Sequence, residues 1–413
     1  MVRLKGFQKL TTTNDAFQLW LNTLRLQKSP TVAVPLNEGL GRVLAENAIA
    51  QEDLPRFDKS AVDGYAATAR STTGATQFKP STFQLTDALE ITSKQARPIS
   101  TGNPIPRGAD AVVMIEDTKR TNGDLEVWVP LVPGENISRK GEDVQKGECI
   151  AKTGTRLNPY YLGLLAALGN ESVKVFEKPK IAILATGSEL AEVGAIRREN
   201  QIFDSNKTML SAMCKELGAE PVSLGIAKDD VNEIAERIRV GLRDCDAVIT
   251  SGGTSVGGHD LVPDAVNKVG SPGVVVHGIA MRPAMPTALG VLENKPMMIL
   301  SGNPVAAVFG FEVFARPLIS KMVGMSEGEL RSSIKAVMTR KVATALGRKT
   351  FVRVRVIEKN GEFYAEPVST RGSGAISTMT RSNGFLVVPE NREGAKEGEL
   401  VTVHLFGPVE AAN

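Results

Sequence analysis

Between residues 178 and 325 the chain alternates short apolar runs with amphipathic stretches, and this alternation restricts the fold more than any other feature. KIAILAT, PVSLGIA, DAVITS, VVVHGIAM and PMMILS have the length and β-branched content of strands. NKTMLSAMCKELG, VNEIAERIRVGL and VAAVFGFEVFARPLISKM place apolar residues at helical spacing. Strands apolar on both faces and separated by helices predict a parallel, doubly wound sheet covered on both sides. The expected fold class is therefore α/β plus β modules.

The 413 residues exceed what one core organises, so more than one domain is expected. Residues 12–26 open with Thr12 and Asp15 in a T-x-x-D capping arrangement, and Phe17, Trp20, Leu21 and Leu24 then form one apolar face. A second short apolar helix, YYLGLLAALG, ends at Gly169, a residue suited to a left-handed cap. Packing of these two helices on each other predicts a discontinuous helical domain from 1–54 and 137–177. The intervening 55–136, broken by proline, glycine and asparagine, reads as an inserted mostly-β domain. Residues 178–326 form the α/β domain. The remainder, 327–413, reads as a C-terminal β domain, with Val352, Val354 and Val356 alternating with arginines and Asn360-Gly361 turning a hairpin.

Forty-nine basic against forty-six acidic residues leave a net charge of +3, so no nucleic-acid partner is implied. Cys149, Cys214 and Cys245 are odd in number and lack a CxxC pair, which excludes a readable disulfide framework or zinc knuckle. No apolar run reaches the roughly 18–20 residues of a membrane span, and the N-terminus lacks a signal-type apolar core. A cytoplasmic chain with no membrane partner is expected.

Three strands of the α/β segment run straight into small polar loops, ILATGSE, ITSGGTSVGGHD and ILSGNP. Ligands of open α/β sheets bind beyond the carboxyl ends of strands, so the three loops should share one rim. Glycine there lets backbone N–H groups approach an oxyanion, and a following helix N-terminus adds favourable partial charge. Gly187, Ser188, Gly252, Gly253, Ser255, Gly257, Ser301, Gly302, Asn303 and Pro304 are the resulting substrate-binding candidates. Any one of these loops is equally a tight turn, and neither GxxxxGK[ST] nor a strand-following GxGxxG is present. Glu189, Asp229 and Asp260 accompany the loops. Carboxylates beside a phosphate surface point to an intervening divalent cation, expected as Mg²⁺ with Glu189 and Asp260 as ligands. Taken singly, each acid is as well explained as a solvated loop residue or a helix cap. The three dispersed histidines give a His-based metal site little support. Asp63-Gly64 is most simply a turn.

FDKSAVDGYA, TGNPIPRGADAVV, SRKGEDVQKG with GTRL, KPKIAILATGSEL, FDSNKTML, DAVITSGGTSVGGHD and SGNPVAAV occur in an order and spacing that resembles the molybdopterin molybdenumtransferase family, MoeA and the gephyrin E domain. The resemblance covers essentially the whole chain. It implies a multi-domain homodimer built on the discontinuous domain, with an α/β domain of MogA/MoaB type and an active cleft to which the second subunit contributes. It also implies insertion of molybdate into adenylylated molybdopterin, with Mg²⁺-dependent cleavage of the adenylate bond and release of AMP. The dithiolene sulfurs then belong to the substrate. The molybdopterin adenylyltransferase is a further partner the resemblance allows.

Carried over by position, Asp63, Thr101 and Asp143 resemble functional residues of the first modules, while Glu189, Asp229 and Asp260 resemble the acidic set. Ser205 and Asn206 lie in the FDSNKTML motif. Arg282 and Pro283 match a basic-proline step, and Arg353 and Ser373 resemble positions that hold the oxometallate, for which a planar guanidinium fork is well suited. Three departures stand out: PGKP reads Pro283-Ala284-Met285-Pro286, TGDEL reads TGSEL with Ser188, and LPGNPVS reads LSGNPVA with Ser301 and Ala306. They leave tungstate open as an alternative to molybdate. Two other activities compete with metal insertion: a molybdopterin adenylyltransferase or CinA-like nucleotide hydrolase built on the same α/β unit, and a non-catalytic E-domain-like scaffold.

Overall fold

The computed structural model describes residues 10–26, 29–253, 261–325, 331–369 and 372–411. The chain forms two compact units, one from Ala33–Leu40 and Glu46–Lys174, the other from Met1–Val32, Gly41–Ala45 and Val175–Asn413. Among the described residues no helix is long and apolar enough to cross a membrane.

In the first unit β1 (Gly64–Ala67), β2 (Ser81–Leu85), β3 (Gln95–Ile99), β4 (Ala111–Met114), β5 (Thr118–Thr121) and β6 (Asp124–Val127) make one six-stranded sheet in the order β4-β1-β3-β2-β6-β5. Alternating residues of this sheet bury Tyr65, Phe83, Val113, Leu125 and Val127 in a shared core. Gly64 is not in a turn, contrary to the sequence expectation. It opens β1 and is paired on both sides, with Ile99 and with Met114.

The expected helical domain is not seen. α1 (Thr13–Thr23) belongs to the second unit, and α2 (Pro159–Ala167) is the one α-helix described in the first. The rest of 31–54 and 137–176 is loop, one 3-10 turn at Leu36–Glu38 and short strands such as Thr31–Pro35, Cys149–Ala151 and Ser172–Phe176. Within its own unit each apolar face has a partner. Leu164 and Leu168 of α2 cover Ala50 and Val144. Trp20 of α1 is wholly buried, and its indole N–H donates to the carbonyl of Gly290 at 2.7 Å.

The second unit contains the α/β body: β7 (Lys180–Thr186), α3 (Asn206–Glu216), β8 (Glu220–Ala227), α4 (Val231–Asp244), β9 (Ala247–Ser251), α5 (Leu261–Val269), β10 (Pro272–His277), then β11 (Met281–Arg282), β12 (Ala288–Leu292), β13 (Lys295–Leu300), α6 (Pro304–Gly310) and α7 (Arg316–Met322). The sheet order is β8-β7-β9-β13-β12-β10. The strands bury both faces, Ile181 and Ile183 on one side and Ala182 and Leu184 on the other, which explains their unbroken apolar runs. Four adjacent strands are parallel as expected, but β12 runs against them, pairing antiparallel with both β13 and the edge strand β10. VVVHGIAM is also not one strand: β10 ends at His277, and Met281-Arg282 leave the sheet to pair in parallel with β15 (Lys349–Lys359).

β15 is part of the C-terminal β structure with β14 (Ser333–Met338), β16 (Glu362–Ser369), β17 (Gly384–Val388) and β18 (Leu400–Leu405). These five close on themselves through the β15–β17 pairing into a small barrel filled by Val352, Val354, Val356, Ala365 and Val403. Asn360 and Gly361 both take positive φ, 55° and 79°, in the expected two-residue hairpin turn.

Candidate active site

The carboxyl ends of β7, β9 and β13 meet at one rim, as their shared sheet positions require. Two devices close the spaces between the loops. Gly252 holds φ 104°, and a Cβ there would lie 2.3 Å from the Thr186 carbonyl oxygen, so only glycine brings the β9 loop this close to the end of β7. Asn206, in the first turn of α3, donates from Nδ2 to Ser251 Oγ and to the Gly302 carbonyl, each at 2.8 Å. One amide thus ties the end of β9 to the loop after β13. Its Oδ1 is buried and has no hydrogen-bond partner.

Glu189, Asp204, Ser205, Asn206 and Asp229 line a cavity of about 790 Å³ under this rim, together with Gly187, Gly252 and Gly253. Ser188 and Asp229 lock each other: the Ser188 N–H donates to Asp229 Oδ2 at 2.9 Å, and the Asp229 N–H donates to Ser188 Oγ at 3.2 Å. The Glu189 carboxylate folds under its own loop, where a Cβ on Gly187 would stand 2.7 Å from Oε1. Asp204 is only 3% exposed. Its Oδ1 accepts from the Lys207 N–H at 3.1 Å, while Oδ2 is without a hydrogen bond and lies 3.7 Å from Lys207 Nζ. Glu189, Asp204, Asn206 and Asp229 therefore offer oxygen donors, Asp204 and Asn206 each with a buried oxygen that accepts no hydrogen bond, and among the described lining residues no sulfur or imidazole competes. Such a set suits a hard divalent cation such as Mg²⁺. Among the described residues no three His, Cys, Asp or Glu stand close enough to form a metal cage by themselves. Ser255, Gly257 and Asp260 lie outside the described residues.

A second cavity of about 550 Å³ adjoins the first, and Pro286, Ser301 and Asn303 line both. Its wall is basic: Arg282, Arg348 and Arg353 line it and, among the described residues, no carboxylate does. The switch of Met281-Arg282 into the C-terminal sheet, where Arg282 pairs with Thr350, places Arg282 and Arg353 on one wall. Arg353 is 3% exposed, and burial pushes its guanidinium pKa down, although an arginine stays charged. Pro283, Met285 and Ser373 complete this half. Gly302 and Pro304 line the neighbouring cavity, and the first-turn amide of Val305 is taken by the Ser373 carbonyl at 2.9 Å, joining the SGNP loop to the C-terminal barrel. Met285 supplies no charge where PGKP would have placed a lysine.

Asp63, Thr101 and Asp143 lie in the other compact unit. Asp63 Oδ1 accepts from the Thr101 N–H at 2.7 Å and from its hydroxyl at 3.2 Å, so two of the three form one exposed group. Asp143 lines a separate open depression with Lys59, Ser138 and Glu142.

Sequence reasoning passed over Asp204 and Arg348. Asp204 stands inside the quoted FDSNKTML run, but its burial, the property that sets it apart, has no local signature. Arg348 follows a turn glycine and shows no periodic pattern. None of the described cavities uses a cysteine, and burial pushes the Cys214 thiol up to about 12.

Family models match nearly end to end: the MoeA N-terminal region (domain I and II) over residues 11–169, a probable molybdopterin binding domain over 182–321, and the MoeA C-terminal region (domain IV) over 335–406. A putative molybdopterin biosynthesis protein of Methanocaldococcus jannaschii is 38% identical, covering 90% of this chain and 92% of its own. The molybdopterin molybdenumtransferase of Bacillus subtilis is 34% identical, covering 92% and 91%. The crystal structure of a molybdopterin biosynthesis MoeA protein from Pyrococcus horikoshii OT3 superposes with a TM-score of 0.82 at 33% identity, covering 96% of this chain and all of that one. The chain belongs to the MoeA family of molybdopterin molybdenumtransferases, enzymes of molybdenum cofactor biosynthesis.

Proposed function

We propose that this chain inserts molybdate, or its congener tungstate, into adenylylated molybdopterin and releases AMP. The observation that carries the reading is the pairing of two adjoining cavities of opposite character, one lined by carboxylates and the other by arginines, which share Ser301 and Asn303. A substrate with a phosphoanhydride and a tetrahedral dianion needs both. Arg282, Arg353, Ser301 and Ser373 orient the oxyanion through charge-assisted hydrogen bonds. Glu189 and Asp229, with Asp260, would hold Mg²⁺, which would neutralise phosphate charge when bound. Asn206 fixes the loops between which the phosphate lies; cleavage of the anhydride consumes one water for each AMP released, and the two oxo groups displaced from the metal by the dithiolene sulfurs leave as water, taking up the thiol protons and protons from solvent.

The working unit in this reading is a homodimer in which a second copy supplies Asp63, Thr101 and Asp143. The molybdopterin adenylyltransferase is the source of the substrate.

The test is AMP release from adenylylated molybdopterin with Mg²⁺, run with molybdate and tungstate in parallel. Release with either oxometallate is expected, with Glu189→Gln lowering kcat on the order of 100-fold, the scale of losing one electrostatic stabiliser. No release with either, or consumption of ATP with unadenylylated molybdopterin instead, sinks the reading.

A further inference from the structure

The basic cavity contains a guanidinium that neither its motif nor its burial marks out. Arg348 sits in the connection from the short strand Val342–Ala343 to β15, and its backbone is held from both sides. The Gly347 N–H donates to Glu390 at 2.8 Å, the Lys349 N–H donates to Ala280 at 2.9 Å, and the Arg348 carbonyl accepts from Thr350 Oγ1 at 3.3 Å. The side chain is exposed and makes no hydrogen bond or ion pair with any described residue. Two other exposed arginines of the same barrel are committed, Arg355 to Glu410 and Arg392 to Glu399. Arg348 is therefore anchored at its base, uncommitted to any described residue at its tip, and part of the lining of a cavity in which no described residue supplies a carboxylate.

Charge sets what such a group can do. Coulomb energy is linear in the ligand's charge, so a nearby cation raises the logarithm of a dianion's affinity by twice as much as that of an isosteric monoanion. Arg353 is buried and fixed, and Met285 adds none of the charge a lysine would bring. We propose that Arg348 is a specificity-determining residue of the oxyanion half: its guanidinium closes on the bound tetrahedral anion opposite Arg282 and sets the preference for dianions. The proposal rests on the oxyanion part of the reading above.

The experiment is calorimetric titration of the full chain at low ionic strength with molybdate, a dianion, and perrhenate, a monoanion of the same shape. Arg348→Ala should weaken molybdate binding about 10-fold and perrhenate about 3-fold, the square-root relation that linear charge dependence requires. Arg348→Lys should restore most of the loss, and Met285→Lys should recover it in the Arg348→Ala background while changing the wild type less. Equal losses for the two anions, or none for either, overturn the proposal, as does a wild-type chain that binds no dianion. Wild-type AMP release with oxyanion binding indifferent to Arg348 sinks this inference alone. The charge-dependent pattern without AMP release sinks the functional reading and leaves this one standing.

Discussion

Ala284 holds φ 79° at the edge of the arginine cavity, a backbone conformation that ordinarily belongs to glycine. Its carbonyl is held there by the Thr287 N–H at 3.2 Å and the Thr287 hydroxyl at 2.8 Å, and the residue is 3% exposed. The left-handed backbone costs on the order of 1–2 kcal/mol. Against replacement by glycine stand about 0.8 kcal/mol for the buried methyl and roughly 0.5–1 kcal/mol of extra chain entropy. These terms nearly cancel. Ala284→Gly is therefore expected to leave stability within about 1 kcal/mol of the parent, an unusual result for deleting a buried methyl. Ala284→Val, which adds a β-branch at positive φ inside a packed site, should cost more than about 2 kcal/mol. Denaturant melts of the two variants decide it, and a large loss on going to glycine would show that the backbone here is not strained.

At the scale of elements, α1 shows what periodicity conveys and what it omits. The T-x-x-D cap is present as read, with the Asp15 N–H donating to Thr12 Oγ1 at 3.1 Å, and the apolar face is real. The partner of that face was not legible, because an apolar stripe specifies burial and not an address. Trp20 reaches Gly290, 270 residues away, and this hydrogen bond is one of the contacts that dock the helix. Trp20→Phe keeps most of the ring area but leaves the Gly290 carbonyl without its donor, so a loss of about 1–3 kcal/mol is expected. Trp20→Ala should cost about 3–5 kcal/mol. Equal melting behaviour of the Phe variant and the parent would show that water replaces the indole at no cost. The same limit explains the edge of the α/β sheet. Strands buried on both faces were read correctly, but direction is set by connection length, and the short link between β12 and β13 forces them antiparallel. The three glycine loops were readable because strand ends position ligands in this architecture. Asp204 and Arg348 were not, because burial in one case and the freedom of a side-chain tip in the other arise only from tertiary packing.

Across the whole molecule, the residues implied by the family resemblance divide between the two compact units: Glu189 and Asp229 in one, Asp63, Thr101 and Asp143 in the other. A homodimeric reading makes a definite claim about this division, namely that each working site combines the α/β unit of one copy with the β-rich unit of its partner. Two variants, Glu189→Gln and Asp63→Asn, should each be nearly inactive as pure dimers. In mixed dimers, one of the two sites collects both substitutions and the other collects none. Random pairing makes half the dimers mixed, so co-expressed variants should regain about a quarter of parental AMP release. A site assembled within a single copy gives a different result: every site then carries one substitution and no activity returns. Affinity tags of different kinds on the two variants allow the mixed dimer to be isolated, where the expected activity rises to about half. An inactive mixed dimer would assign Asp63 to the same copy as Glu189, and the carboxylate and arginine cavities of one chain would then need no second chain to act.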